Sequence, residues 1–509
     1  MEHSTIETNR PPWGILSILM IGAFISMLNE TLLNVALPSI INDLDVSPST
    51  VQWLSTGYML VNGVMIPATA FLIQKYTVRR LFLTAMVLFL IGTVLAGFAT
   101  DFSVLLGARM VQASGAAIMM PLLMNVMLTS FPAEKRGAAM GLFGLVFIFA
   151  PALGPTLSGW LIEHYDWRML FHLVSPIAAI VLLIAIFLLK DNKKSVEIRL
   201  DFLSFFLSTI GFGGLLYGFS SAGNKGWDSP EVYLTIAVGA IAIIIFIWRQ
   251  LKLEVPMLNF RIYKYPMFSL SSAISIVITM AMFSAMLLLP IYVQSIRGIS
   301  PIKSGLLMLP GSILMGIMSP ITGKLFDKYG GRILAVTGLT ITIITSYFLS
   351  TLTLHTSYTE LMLIYSARMF GMSMVMMPVM TNGLNQLPAR YYPHGTAMNS
   401  TLQQVSGAIG SALLVTIMSN RTKTHATDIA ASTMKHLTSK PTPAELAEIQ
   451  HQIGMKAMLE GINDSFLVSV GIACIALILA FFIKRTKQAE DVQENGTDKK
   501  IVNKLAENN

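Results

Sequence analysis

Apolar stretches of about twenty residues recur along almost the whole chain, separated by short polar breaks that hold proline, glycine and most of the basic residues. Each stretch is long enough to cross ~30 Å of hydrocarbon as a helix. Fourteen spans are expected, near 14–36, 49–73, 80–99, 103–127, 137–160, 168–189, 202–221, 231–248, 268–292, 304–326, 333–353, 358–382, 395–417 and 462–483. This pattern reads as an all-α polytopic membrane protein. Residues 418–461 are a longer polar break, rich in Thr, Ser and Lys. Within it Leu446, Ile449, Ile453 and Ala457 recur at helical spacing, which predicts a short amphipathic helix on the membrane surface or over a vestibule.

The apolar pattern also repeats. Ser47-Pro48 recurs as Ser300-Pro301 and Pro67 as Pro320, an offset of 253 residues. Ala70-x-Leu72-x-Gln74-Lys75-Tyr76-x-x-Arg79 recurs as Gly323-x-Leu325-x-Asp327-Lys328-Tyr329-x-x-Arg332. Met119-Met120-Pro121 pairs with Met376-Met377-Pro378, and Gly137-x-Ala139-Met140 with Gly395-x-Ala397-Met398. Spans 1–6 therefore correspond to spans 9–14, and spans 7 and 8 are an insertion. The expected organisation is two pseudo-symmetric six-helix bundles, 1–199 and 261–487, with two inserted helices in 200–260 and a charged tail from 488 to 509. Repeats that begin on the same membrane side imply a pseudo-twofold axis along the membrane normal, with a cavity between the bundles, which is a transporter architecture.

Composition sharpens this reading. Of 509 residues, 54% are hydrophobic and 12% charged, about half the charged share of a soluble domain. The net charge of +8 does not indicate nucleic acid, because the basic residues sit in breaks and form no stripe. They sort by side instead. Lys75, Arg79, Arg80, Lys135, Arg136, Lys190, Arg249, Lys252, Lys324, Lys328, Arg332, Lys484 and Arg485 fall on one side; Arg168, Lys225, Arg297 and Lys303 fall on the other. The positive-inside rule then puts both termini in the cytoplasm. The first apolar run leads into further spans without an Ala-x-Ala stretch, so it reads as a span and not a cleaved leader.

Glu30 is the clearest acid within a span. An ionised carboxylate at that depth costs at least ~2.5 kcal/mol unless water or a basic partner reaches it. Glu30 is therefore a candidate proton carrier, a site for a cationic substrate, or a structural acid. Arg109 and Arg368 hold similar places in spans 4 and 12; a guanidinium does not titrate usefully, so each tunes a neighbour or holds carbonyls. Gly323, Asp327, Gly330 and Arg332 form a tight basic turn, with Asp327 and Arg332 placed to latch helix termini. Gly154, Pro155 and Gly159 make span 5 closely packed and easily bent. The chain has no phosphate-binding Gly-rich loop and no His-Glu-x-x-His string, and its histidines are dispersed. No cofactor, metal or enzymatic activity is expected.

These residues resemble the motifs of the major facilitator superfamily, in its fourteen-helix branch of drug:proton antiporters, over almost everything from Trp13 to Phe482. Thr31, Asn34, Val35, Ala36 and Pro38 resemble that branch's first-span signature. Arg109, Gln112 and Gly115 match its fourth-span motif, whose arginine is implicated in proton coupling. Gly154-Pro155 and Gly159 match the antiporter motif of span 5, with Ala150 and Ser158 where glycines are usual. Asp166-Trp167-Arg168 resembles the usual start of span 6. Two departures stand out. The family commonly has an aspartate where this chain has Asn29, and here the acid comes one position later, about 100° around the helix. In the first loop motif Ala70, Gln74 and Thr77 replace Gly, Asp and Gly, leaving that turn to rely on Lys75, Arg79 and Arg80.

The resemblance implies export of amphipathic, often cationic compounds in exchange for protons, by a multi-pass protein of the bacterial plasma membrane acting as a monomer. Asn29, Glu30, Asn34 and Arg109 are then the candidate coupling or substrate residues. The main alternative is export of one defined metabolite, such as an amino acid, peptide or siderophore; a non-transporting receptor or scaffold is a third class.

Overall fold

A computed structural model describes residues 13–485, apart from 47, 52, 133–134, 191–200 and 437–441. Every regular element among the described residues is helical. The first bundle contains α1 (Trp13–Leu44), α2 (Trp53–Lys75), α3 (Val78–Gly97), α4 (Phe102–Ser130), α5 (Arg136–His164) and α6 (Met169–Leu188). The inserted pair is α7 (Phe202–Lys225) and α8 (Pro230–Lys252). The second bundle contains α9 (Pro266–Ile291), α10 (Pro301–Tyr329), α11 (Gly331–Leu349), α12 (Tyr358–Asn385), α13 (Tyr392–His436) and α14 (Pro443–Ala480). Thirteen helical stretches among the described residues are long and apolar enough to cross a membrane. The 29-residue α5 is the fourteenth of membrane length.

Local chemistry sets several helix ends. Asp101 caps α4 by accepting from Val104 N at 3.0 Å, Thr77 caps α3 through Arg80 N, and Ser357 caps α12 through Glu360 N. α12 breaks around Met374–Val375. Pro378 lacks the N–H that would bond back to Met374, and its ring crowds that carbonyl. The described residues form two large apolar cores, one centred on α1–α6 and one built from residues of α9–α14, and a small third around Ala222, Val232 and Ala412 where the inserted pair meets α13.

The bundles meet along α5 against α10 and α2 against α13, and α7 packs on the α2–α13 side. Glycine makes the first seam close: a Cβ on Gly137 would fall 2.5 Å from Gly323 O, and one on Gly141 would fall 2.6 Å from Ser319 O. The inserted pair is pinned at one end by a bidentate ion pair, Arg249 Nε and NH2 to Asp201 Oδ2 and Oδ1 at 2.7 and 3.0 Å.

The polar break at 418–461 differs from the expected short surface helix. α13 runs on to His436 and α14 begins at Pro443, with a Thr442–Glu445 capping box. α13 is 45 residues long, which is ~67 Å of helix. The helical spacing of Leu446, Ile449, Ile453 and Ala457 is that of a stripe partly or fully buried on the hairpin, with α14 packed on α13. Polar helical extensions of two spans look like a loop in a hydropathy reading because length there is judged by apolar content alone. Residues 437–441 lie outside the described chain.

Candidate functional site

Arg109 sits two turns into α4, where α1, α2 and α3 converge, and is 1% exposed. Its NH1 donates to Asn29 Oδ1 of α1 at 2.8 Å and to Gln112 Oε1 of its own helix at 2.6 Å. Gln112 Nε2 passes the network to Thr93 Oγ1 of α3 at 2.7 Å, and Thr93 donates to Phe89 O. The guanidinium lies over the Tyr58 ring of α2, 4.3 Å from its centroid. A buried cation needs this density of partners, because desolvation is otherwise prohibitive. All of them are neutral, and Arg109 Nε has no hydrogen-bond partner.

Glu30 is the adjoining acid. It and Arg109 lie within electrostatic reach of each other and of Tyr58. Asn29, Tyr58, Thr93, Arg109 and Gln112 are buried, whereas Glu30 keeps part of its surface open. One carboxylate that keeps part of its surface open beside a fixed guanidinium has the minimum equipment for taking up and releasing a proton.

The next turn of α1 locks onto α5. Thr31 Oγ1 donates to Leu28 O at 2.9 Å and approaches Ala150 O at 3.4 Å, and Ser158 Oγ donates to Leu32 O at 2.6 Å. Gly154 faces Thr31 so closely that a Cβ would collide with it. Ser158 and Ala150, which replace the usual glycines, thus tie the seam by hydrogen bonds. A Cβ on Gly159 would meet Ile302 at 3.2 Å. The side chains of Asn34 and Pro155 lie outside the described ones.

Arg368 is the equivalent position of the second half and is fully buried. Its NH2 donates to Ala281 O at 2.8 Å and approaches Ser284 Oγ at 3.4 Å. A Ser284–Ser469 hydrogen bond of 2.9 Å extends that cluster across α9 and α14. Arg109 has the Glu30 carboxyl within electrostatic reach, whereas Arg368 has only Tyr365 among the described residues, so the two halves are chemically unequal at this level.

The end at which α1 begins and α14 finishes carries most of the basic residues and is called the basic end below. Asp327, near the end of α10, accepts from Gly137 N at 2.9 Å and Ala138 N at 3.0 Å with its two carboxylate oxygens. It therefore caps the N-terminus of α5 across the bundle boundary. Gln74, its counterpart on α2, turns back to its own helix, Nε2 to Ala70 O at 2.9 Å. Lys75 lies over the Phe71 and Tyr76 rings, and Arg79 NH2 donates to Ile186 O. Arg80 supplies the N–H that Thr77 caps. Gly330 turns the chain from α10 to α11 at φ 83°, a left-handed conformation that favours glycine. Arg332 is exposed and takes no part in the Asp327 contact.

Asp327→Asn is expected to leave substrate binding intact and to slow turnover by about three- to tenfold. A carboxylate at a helix N-terminus contributes ~1–2 kcal/mol, and the amide keeps only one acceptor oxygen for two donors. Distances between spin labels at the basic ends of α5 and α10 should broaden in the variant. Unchanged distances together with unchanged turnover would exclude a gating role.

At the opposite end Arg168 donates to Asp43 at 2.8 Å, Asp166 at 3.1 Å and Ala99 O at 3.0 Å, and Trp167 Nε1 donates to Asp43 at 3.1 Å. Hydrogen bonds from Trp167 and then Arg168 hold the Asp43 carboxyl below its ordinary value of 3.8. Its stabilising contribution is complete above that ordinary value and is lost as pH falls through the lower folded one. Because Asp43 is well exposed, Asp43→Asn should lower Tm by only about 1–2 °C at pH 7. The difference should shrink as pH falls below 3.8 and vanish once Asp43 is protonated in the folded protein; a persisting difference would mean that charge is not its cause.

The structure thus brings Asn29, Glu30 and Arg109 together and joins Gly323 and Asp327 to α5, but leaves Arg332 apart. Sequence reading missed Tyr58, Thr93 and Arg136. The first two look like ordinary span residues. Arg136 is 4% exposed and links the halves: Nε to Phe131 O at 3.1 Å, NH1 to Asn385 Oδ1 at 3.3 Å, and the guanidinium over the Tyr392 ring. Its only sequence signal was its place at the start of span 5, where it counted as one more basic loop residue.

Comparison with known proteins shows the family and the fold. The sequence profile of the Major Facilitator Superfamily matches residues 19–411. An uncharacterised transporter of the same superfamily, YhcA of Bacillus subtilis, is 48% identical over 94% of each chain. The lincomycin resistance protein LmrB of Bacillus subtilis is 42% identical over 93% of this chain and 96% of its own. The probable multidrug resistance protein EmrY of Escherichia coli is 25% identical over 94% and 97%. In fold, the chain is similar to the human organic anion transporter MFSD10, with TM-score 0.65 and 13% identity over 92% of this chain and 100% of that one. A matching profile over most of the chain, a relative 48% identical over nearly its whole length, and helices of membrane length throughout the described residues place this multi-pass membrane protein in the Major Facilitator Superfamily, as a transporter and not an enzyme.

Proposed function

We propose that the chain is a proton-driven exporter of small amphipathic drugs, with its basic end in the cytoplasm and Glu30 as the proton carrier. The observation that carries this is the partly open Glu30 beside the buried Arg109 network. Relatives named for lincomycin resistance and multidrug resistance support the substrate class.

In this reading Asn29, Gln112, Thr93 and Tyr58 hold Arg109 in place as a fixed positive charge. Glu30 binds a proton from the outer side and gives it up to the cytoplasm. Rocking of the bundles along α5–α10 and α2–α13 changes the water around Glu30, while Asp327 and Arg136 close the basic end between turns. Substrate and proton use the same cavity in opposite halves of the cycle, so each favours release of the other. The exchange moves protons inward as substrate leaves, and the proton gradient supplies the driving force.

The test is uptake of lincomycin and of two unrelated cationic dyes into everted vesicles energised by a pH gradient. Uptake of several compounds, abolished by collapsing the gradient, is expected. Transport that ignores the gradient would overturn the proton reading, and strict selectivity for one compound would overturn the drug reading.

A further inference from the structure

At the basic end a cavity of about 650 Å³ opens between the first turns of α11 and the end of α14. Its volume falls within the ~300–1,000 Å³ usual for small-ligand sites. It lies on the flank of the second bundle, away from the Arg109 network. Among the described residues that line it, three are basic, Arg332, Lys484 and Arg485, and none is acidic. The side chains of Arg332 and Lys484 form no hydrogen bond or ion pair among the described residues. Arg485 is anchored instead, NH2 to Asp327 O at 2.6 Å and NH1 to Lys328 O at 3.4 Å, over the C-terminus of α10. One side of the cavity is thus a set of cationic donors with no acidic side chain among the described lining residues.

The other side is apolar. Tyr329, Ile333 and Phe481 line it and are 52%, 60% and 48% exposed, and Phe482 beside them is 63% exposed. A soluble phosphate would use the cations and leave this surface in water. A phospholipid uses both, its phosphate on the basic residues and its chains along the apolar flank, where basic and aromatic residues anchor proteins at the membrane interface. We propose that this cavity is a binding site for the headgroup of an acidic phospholipid. Arg485 joins it to Asp327, so a bound headgroup steadies the ends of α10, α11 and α14 next to the carboxylate that caps α5.

The test uses the full-length purified protein, delipidated in detergent and titrated with dioleoylphosphatidylglycerol or dioleoylphosphatidylcholine, with bound lipid counted by native mass spectrometry. The first phosphatidylglycerol should bind at least tenfold more tightly than phosphatidylcholine. The double variant R332Q/K484Q should weaken that step by about thirtyfold, equivalent to ~2 kcal/mol for two basic residues at a lipid surface. Removing two charges elsewhere at the same end, in R261Q/K264Q, should leave it unchanged. Equal binding of the two lipids by the parent protein would overturn the proposal without reference to any variant. So would an R332Q/K484Q protein that keeps the parent's preference. A third overturning result is inorganic phosphate at millimolar concentration displacing the lipid, since a free anion would then be the occupant.

Discussion

Replacing Glu30 by glutamine is expected to abolish uphill efflux driven by a pH gradient while leaving downhill exchange of substrate partly intact. The amide keeps the size of the side chain and removes a carboxyl that lies beside the Arg109 network and retains an open surface. In the parent protein the balance between the neutral and ionised forms of Glu30 follows the water and the guanidinium around it. A cationic substrate that favours the ionised form must expel a proton, and by linkage the proton must expel the substrate. Glutamine breaks that reciprocity without opening a cavity. The direct measurement is proton release on substrate addition to purified protein in weak buffer: about one proton per substrate in the parent and none in the variant. Equal release from both would assign the proton to another group and leave Glu30 as a substrate-binding or structural acid.

The fold was legible because lipid imposes a simple code. A run of about twenty apolar residues satisfies its own backbone only as a helix, and basic breaks mark the side it returns to. The duplicated Gly, Pro and Arg markers revealed the two halves before any packing was visible. The code fails where a helix continues beyond the bilayer. α13 reads as ending near 417 because the residues after it are polar, yet their helical hydrogen bonds continue to His436. Breaks inside a span are equally hidden: α12 is interrupted near Met374, and only Pro378 gives notice of it.

The site was legible to the extent that its residues are charged. A carboxylate or guanidinium inside an apolar run is costly, so Glu30 and Arg109 stand out from sequence alone. Tyr58, Thr93 and Ser158 do not, since tyrosine, threonine and serine are unremarkable in spans and matter here only through what faces them. The two loop motifs show the same limit. Sequence distinguishes Asp327 from Gln74, but only the packing reveals that Asp327 reaches the N-terminus of α5 while Gln74 folds back on its own helix. Arg332, paired with Asp327 in the sequence reading, belongs instead to the cavity between α11 and α14.

Arg109→Ala is expected to reduce proton-driven transport by at least tenfold at matched protein levels, ~1.4 kcal/mol or more in the coupled step. Three consequences follow from losing the guanidinium. Asn29 Oδ1 and Gln112 Oε1 lose their donor, the Tyr58 ring loses its cation, and Glu30 loses the charge that favours its ionised form. The first two are structural, and the third belongs to coupling, so the variant alone does not separate them. Arg109→Lys does. Lysine restores a positive charge but has no planar fork to bond Asn29 and Gln112 together. If charge near Glu30 is what transport requires, lysine should recover a substantial part of the rate, with a shifted pH profile because the cation sits at a different distance from the acid. If the network's geometry is the requirement, lysine should behave like alanine in rate. Measuring drug efflux in energised vesicles from pH 6 to pH 9 distinguishes the two. Parental rates in the alanine variant across that range would remove Arg109 from the mechanism altogether.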